Sequence, residues 1–429
     1  MLARSVFTST HISMSTSLNR LVMLGALAGV VTVPVAAQTP ARNSATSDTA
    51  FDPIREMVSR LSLDQYKATV KGLTQFGDRR QGTERNRKAV DWIETQLKSY
   101  GCTNTERITY DFQPPPPREP MTPEQLARFR ARAAEGGNKR PGPGGSVMRG
   151  KIMPTGVNTD SLRQPDLALR KLDTPQSVAG ERQEVYCTKI GTTHPDEMYI
   201  VSGHMDGIGW GEAANDDGSG TALVMQLARV FSSPDVKTDR SIRFILWNNE
   251  ETGLNGAKAY VEQREALQGK ENPAGSGKYP EPRWLGVIQH DMMMFDHGMP
   301  RADGTMSPVQ RPEADVNIEF QSNSKMADAS QKLAWILSTA NDKYATDYPA
   351  KVGQHMTNTD SQPFENLVPS ISLRENERGA QIGAGWDPQW HQPTDLYKTY
   401  SDADFRLGLN AAQTTLSAVA ELTGAKLVK

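Results

Sequence analysis

"VSGHMDGIGWGEAANDDGSGTAL", residues 201–223, sets His204, Asp206, Asp216 and Asp217 among glycines and small residues. Carboxylates gathered this densely repel one another unless a cation sits among them. The stretch follows the apolar run "EMYIVSG" and leads into the helical pattern "SGTALVMQLARVFSS", so it reads as the loop between a strand and a helix. Small residues there let the backbone fold tightly around a ligand group before a helix starts. An ordinary turn into a helix accounts for Gly218 to Gly220, but not for two consecutive acids in the same loop as His204.

Working outward, short β-rich runs alternate with helical stretches from residue 183 onward. "EVYCTKI", "EMYIVSG", "SIRFILWN", "WLGVIQHDM" and "VPSISL" read as strands. "NGAKAYVEQREAL", "KMADASQKLAWILSTAND" and the closing "SDADFRLGLNAAQTTLSAVAELTG" read as helices. The alternation predicts an α/β fold, a three-layer α/β/α sandwich with a mixed, largely parallel central sheet. Before it, "DPIREMVSRLSLDQYKATVKGLTQF" is helical with one break. In "TERNRKAVDWIETQLKSYG", Ala89, Val90, Ile93 and Leu97 share one helical face.

In open α/β sheets, ligands gather outside the carboxyl ends of the strands. Each candidate residue stands at such an end. "MYIVSG" delivers His204 and Asp206, "SIRFILWN" delivers Glu250 and Glu251, and "WLGVIQ" delivers Asp291. The loop "DPQWHQPTD" adds His391. Glu250 and Glu251 have two readings: one carboxylate on a metal beside a general base, or an acid pair at a helix N-terminus. The spacing His204-x-Asp206 puts both side chains on one face of an extended segment, where Asp206 can accept the second imidazole N–H of a metal-bound His204. His204, Asp216, Glu251, Asp291 and His391 form a set of imidazole and carboxylate donors that suits zinc. Five donors exceed the three protein ligands typical of one catalytic zinc. If one carboxylate bridges, they serve two ions.

The 429 residues carry 48 Lys and Arg against 50 Asp and Glu, a balance that argues against a nucleic-acid partner. Arg20 followed by the uncharged run "LVMLGALAGVVTVPVAA" predicts a signal peptide over 1–37, a polar linker over 38–50, and an exported protein, periplasmic or extracellular. No other run is long and apolar enough to predict a membrane span. Cys102 and Cys187 lie in or beside expected strands, and both readings stay open, a disulfide or two free thiols. Residues 113–181 are rich in Pro, Gly and Arg or lack periodicity. They read as an irregular insertion in the 51–429 domain, either a solvated loop or an arm near the site. Within it, Thr122, Pro123 and Gln125 spell a capped helix start.

"GHMD", "AANDDGSG", "NNEETGLNG", "QHDM" and "WHQPTD", in this order, resemble the secreted dizinc aminopeptidases. That family of bacterial leucyl-type enzymes also contains carboxypeptidase Q, glutamate carboxypeptidase II and glutaminyl cyclase. The likeness covers about 183–423 and implies a zinc exopeptidase fold and a peptide substrate. It implies two Zn2+ per chain, one on His204 and Asp291, the other on Glu251 and His391, with Asp216 bridging. Glu250 takes the place of the general base, and Asp206 that of the partner of His204. A cis peptide is implied at Asp216–Asp217. "TDSQPF" departs from the family pattern by placing Ser361 where a histidine is usual. The expected activity is aminopeptidase. The alternatives are a carboxypeptidase or dipeptidase of the same family, a one-zinc glutaminyl cyclase, or a non-catalytic binding protein on the same fold.

Overall fold

Strands form where apolar alternation expects them, and two more join the sheet. In the computed structural model they are β1 (Thr105–Phe112), β2 (Gly180–Lys189), β3 (His194–His204), β5 (Arg240–Trp247), β6 (Arg283–His290), β7 (Val316–Phe320), β8 (Ala350–Gly353) and β9 (Ser370–Arg374). They make one eight-stranded sheet in the order β1-β2-β5-β3-β6-β9-β7-β8. A separate pair joins β4 (Val236–Lys237) to β10 (Lys426–Leu427). The centre is parallel, with β3 between β5 and β6, and β6 beside β9. Antiparallel pairings of β1 with β2, β2 with β5 and β7 with β9 make the sheet mixed.

The structure describes residues 51–429 except 115–121, 126, 129–156, 159, 173–177, 299–306, 308, 312–313, 355–357, 376–386 and 429. The expected signal peptide and linker, 1–37 and 38–50, lie outside the described residues. Residues Phe51–Lys429 pack as one compact unit.

Helices are α1 (Pro53–Ser59), α2 (Leu63–Thr74), α3 (Glu84–Ser99), α4 (Leu167–Lys171), α5 (Gly218–Phe231), α6 (Asn255–Arg264), α7 (Ala327–Tyr344) and α8 (Asp402–Thr423). The expected break between the first two falls at Arg60 to Ser62, and Ser62 caps α2 by accepting from the Gln65 amide. Period-two alternation divides the strands between two cores. Val201, Phe244, Leu246 and Ile288 face a large core under α1, α2, α3, α5, α7 and α8. Ile200, Ile245, Trp247 and Val287 face a smaller one with Ala257 and Tyr260 of α6. There Trp247, Tyr260, Trp284 and Phe364 form an aromatic cluster with neighbouring ring centroids 5.3–6.1 Å apart. Apolar cover on both faces explains why the central strands read as near-continuous hydrophobic runs.

β7 and β8 have no counterpart in the strands expected from sequence. "VNIEF" and "AKVG" are short, and Asn317 and Glu319 interrupt the apolar signal. Cys102 and Cys187 resolve to a disulfide, with Cα atoms 6.1 Å apart at the base of the paired strands β1 and β2. The strand pair closes the root of the insertion at Phe112 and Gly180, and the staple lies at the other end of the same ladder. Inside it, the Thr122 hydroxyl accepts from the Gln125 amide and the Gln125 side chain accepts from the Thr122 amide, the capping box its sequence spells.

Candidate active site

β3, β5 and β6 lie side by side and end at one rim. His204 is the last residue of β3, Glu250 and Glu251 follow β5, and Asp291 follows β6. Asp216 arrives on the loop before α5, and His391 on a loop before α8. Close backbone contact brings Asp216 in. A side chain at Gly203 would meet the Gly220 backbone at 2.9 Å, so the first turn of α5 lies directly against the end of β3. Asp217 locks this junction: its carboxylate accepts from the amides of His204 (3.0 Å), Gly220 (2.8 Å) and Met292 (3.1 Å). The Asp216–Asp217 peptide is cis, as the resemblance implies.

All five expected metal donors converge. Asp216 spans the two histidines, Oδ1 lying 3.4 Å from His204 Nε2 and Oδ2 2.9 Å from His391 Nε2. His391 Nε2 is also 3.0 Å from Glu251 Oε2, and His204 Nε2 is 3.8 Å from Asp291 Oδ1. With Glu250, expected as base and not as ligand, they form two groups of three potential donors, His204, Glu250 and Asp291 beside Asp216, Glu251 and His391. The cavity they line is completed by Met292, Asn358, Arg374 and Trp390.

Burial sets the electrostatics. It would lower both imidazoles, but Glu250 and a hydrogen bond to Asp216 lift His204 well above its ordinary value, and Glu251 and Asp216 lift His391 to about 11. Burial would raise Asp216, yet hydrogen bonds from His204 and His391 hold it well below the usual carboxylate range. Burial together with the charge of Asp216 raises Glu251 to about 7, despite the opposing His391. Burial, with Glu251, Asp360 and Asp291 adding to it, raises Glu250 well above the ordinary value. Two imidazoles thus take up positive charge to compensate acids that water does not reach. A divalent cation on the same atoms would do so more fully.

The structure corrects one expected role. The Asp206 carboxylate stands 3.8 Å from His204 Nδ1, and it is the backbone carbonyl of Asp206 that pairs with that nitrogen, at 3.0 Å. The carboxylate instead accepts from the amides of Glu250 (3.0 Å) and Glu251 (3.4 Å). Crossing from the end of β3 to the end of β5 brings it closer to those amides than to its own neighbour's ring. Asp206 therefore places the two glutamates.

Three residues at the site escape the sequence reading. Arg374 ends β9, is 2% exposed, and donates to Asp291 Oδ2 at 2.7 Å. Burial would raise Asp291, but the Arg374 guanidinium beside it holds it at about 2. Arg79, fully buried between α2 and α3, donates to the carbonyls of Met205 (2.7 Å), Glu212 (2.9 Å) and Ala213 (2.8 Å), fixing the loop that opens the site. Asp360 is fully buried with neither carboxylate oxygen partnered among the described residues. A charged residue closing an apolar strand was the available signal for Arg374. Neither of the others carries one. Ser361, standing where the family has histidine, is also buried, and its hydroxyl has no partner among the described residues.

The donors fit a metal. In each triad one imidazole and two carboxylates bring their ligand atoms within 4.8 Å of one another, a donor set that suits zinc. Glu251 Oε1 is buried without a partner among the described residues, an unfilled acceptor that such an ion would satisfy. A mixed sheet whose strand ends collect this donor set is the build of a metallopeptidase. The chain belongs to peptidase family M28, whose profile matches residues 185–414. It is 45% identical to Aminopeptidase YwaD of Bacillus subtilis over 69 residues, 16% of this chain and 14% of that protein. It is 34% identical to Carboxypeptidase Q of Xenopus laevis over 129 residues, 30% of this chain and 26% of that protein. These matches therefore span well under half the length of either relative. The aminopeptidase from Aneurinibacillus sp. strain AM-1 shares the fold, with a TM-score of 0.54 at 20% identity over 88% of this chain and 97% of that one.

Proposed function

We propose that this chain is an exported two-zinc aminopeptidase that hydrolyses the N-terminal peptide bond of peptides. The observation that carries the reading is Asp216, one carboxylate with an oxygen toward each of two histidines from opposite sides of the site. One zinc would be held by His204 and Asp291, the other by Glu251 and His391, with Asp216 shared. When bound, the ions supply Lewis acidity that polarises the scissile carbonyl and lowers the pKa of water.

The chain's own groups do the rest. Glu250, set by the hydrogen bond its backbone amide donates to the Asp206 carboxylate, takes the proton of the attacking water and passes it to the leaving amine. Its buried position, 9% exposed, raises its proton affinity toward that task. Arg374 keeps Asp291 ionised and holds one of its oxygens, leaving the other toward His204. Asp217 anchors the backbone of His204.

Export is supported by the N-terminal apolar run and by the Cys102–Cys187 disulfide, which suits an oxidising compartment. Among the described residues no helix is long and apolar enough to cross a membrane.

The decisive experiment compares aminoacyl anilides with N-blocked and C-terminal substrates, with and without chelator, alongside zinc content per chain. Cleavage that needs both a free amino group and metal supports the proposal, and a metal-independent activity would sink it. A second reading, cleavage at the C-terminus, is favoured by the 34% identity to Carboxypeptidase Q of Xenopus laevis. Preference for substrates with a free carboxylate would select it.

A further inference from the structure

The later part of the insertion is largely exposed, yet two of its polar side chains are buried against the site loops. Gln164 is fully buried and Asn158 is 4% exposed. The Asn158 backbone amide donates to the His391 carbonyl at 3.0 Å, and its side-chain amide donates to the Gly209 carbonyl at 3.3 Å. The Gln164 side-chain amide donates to the carbonyls of Trp210 (2.6 Å) and Pro393 (3.0 Å). Two residues, through three amide groups, thus tie the loop after β3 to the loop that carries His391. Both loops are already in backbone contact, since a Cβ on Gly209 would lie 2.4 Å from the His391 carbonyl carbon. The tie is itself braced, with the Arg170 guanidinium donating to the Gln164 carbonyl at 2.9 and 2.6 Å and Arg85 donating to the Leu172 carbonyl at 2.9 Å.

His391 is the site residue most in need of such support. It is not at a strand end, and its backbone is left-handed, with φ of 57°. That conformation is unfavourable for a residue with a Cβ and persists when surroundings hold it. A metal-ligating histidine ordinarily donates its second ring nitrogen to an acceptor that fixes the ring. His391 Nδ1 is buried and has no such partner among the described residues. What orients the ring is the stacked Trp390, 4.2 Å away between centroids, and the backbone beneath it.

We propose that Asn158 and Gln164 are positioning residues, through which the insertion holds the His391 loop so that Nε2 faces Asp216 and Glu251. The proposal rests on the two-zinc reading for the identity of the ions. Gln164→Ala, which removes the side-chain bonds to Trp210 and Pro393, and Asn158→Ala, which removes the side-chain bond to Gly209 but keeps the backbone bond to His391 and so has the smaller expected effect, are made in the full chain. Zinc affinity is read by competition with a chromophoric chelator, and ligand geometry by the visible spectrum of the cobalt-substituted protein. The expected result is that one of two ions binds about tenfold or more weakly, the cobalt band changes, the other ion is retained, and kcat falls with KM little altered. Wild-type affinity for both ions with an unchanged cobalt spectrum in both variants would overturn the proposal. So would loss of both ions together with the native fold, which would make the segment a general stabiliser. A wild-type chain that binds one ion would overturn the two-zinc reading by itself, and the spectral comparison of variants with wild type would still decide the tie.

Discussion

The two halves of the site are built differently. His204 ends β3 and Asp291 follows the adjacent strand β6, with the parallel sheet behind them and Asp217 and Arg374 bonded to them. His391 stands on a loop in a left-handed conformation, held by Trp390 and by amides from the insertion. Glu251 completes that half from the end of β5. The comparison teaches that a sheet places ligands through its own hydrogen-bond ladder, whereas a loop ligand needs a dedicated brace. Asp216 joins the halves, so the most disruptive test is aimed there.

Asp216→Ala removes the one group facing both histidines. It should abolish activity and cost the chain at least one zinc, measured by metal analysis of the folded variant. Retention of two ions and activity would show that the halves are independent. Glu250→Gln probes chemistry without touching the proposed ligands. Both ions should stay while kcat falls by about 10²–10⁴-fold, and a fully active variant would remove Glu250 from the role of base. Asp206→Ala frees the amides of Glu250 and Glu251 together. Activity should fall by about 10–100-fold, with zinc loss concentrated on the half that contains Glu251. Loss concentrated on the His204 half would show that Asp206 acts on its neighbouring histidine instead.

The smallest effect is in pH dependence. Without metal, Glu251 is raised to about 7 and His391 to about 11, both above their unfolded values. Their bound protons stabilise the fold fully below the unfolded values, and that contribution is lost as pH rises through about 7 and then about 11. The thermal midpoint of chelated protein should therefore fall as pH rises across this range, and zinc should flatten the slope by replacing the protons. Zinc binding near neutrality should release protons, read by calorimetry in buffers of different ionisation enthalpy. A metal-free midpoint independent of pH would argue against the charged histidines.

Much of the sheet-built half is visible in sequence because strand ends are readable. An apolar run that stops at "GHMD", "NNEE" or "HDM" announces both a strand and what it delivers. β7 and β8 were not visible, since "VNIEF" and "AKVG" are short and gain their strand character from pairing with β9 and with each other. Glu319 on β7 pairs with Ser372 and lies diagonally to Arg374 of β9, its carboxylate 3.8 Å from the guanidinium. Only the register explains why a buried strand carries an acid.

Residue order alone determined the donor set, the rim on which it gathers and the fold class, because hydrophobic periodicity and strand-end chemistry are local properties. Tertiary structure decided what lies across chain-distant gaps. It turned Asp206 from the ring of His204 to the amides of Glu250 and Glu251, brought Arg374 to Asp291, and laid Asn158 and Gln164 against the His391 loop. Those contacts are hydrogen bonds between groups tens to hundreds of residues apart, and a hydrogen bond depends on distance and angle, which no spacing along the chain encodes.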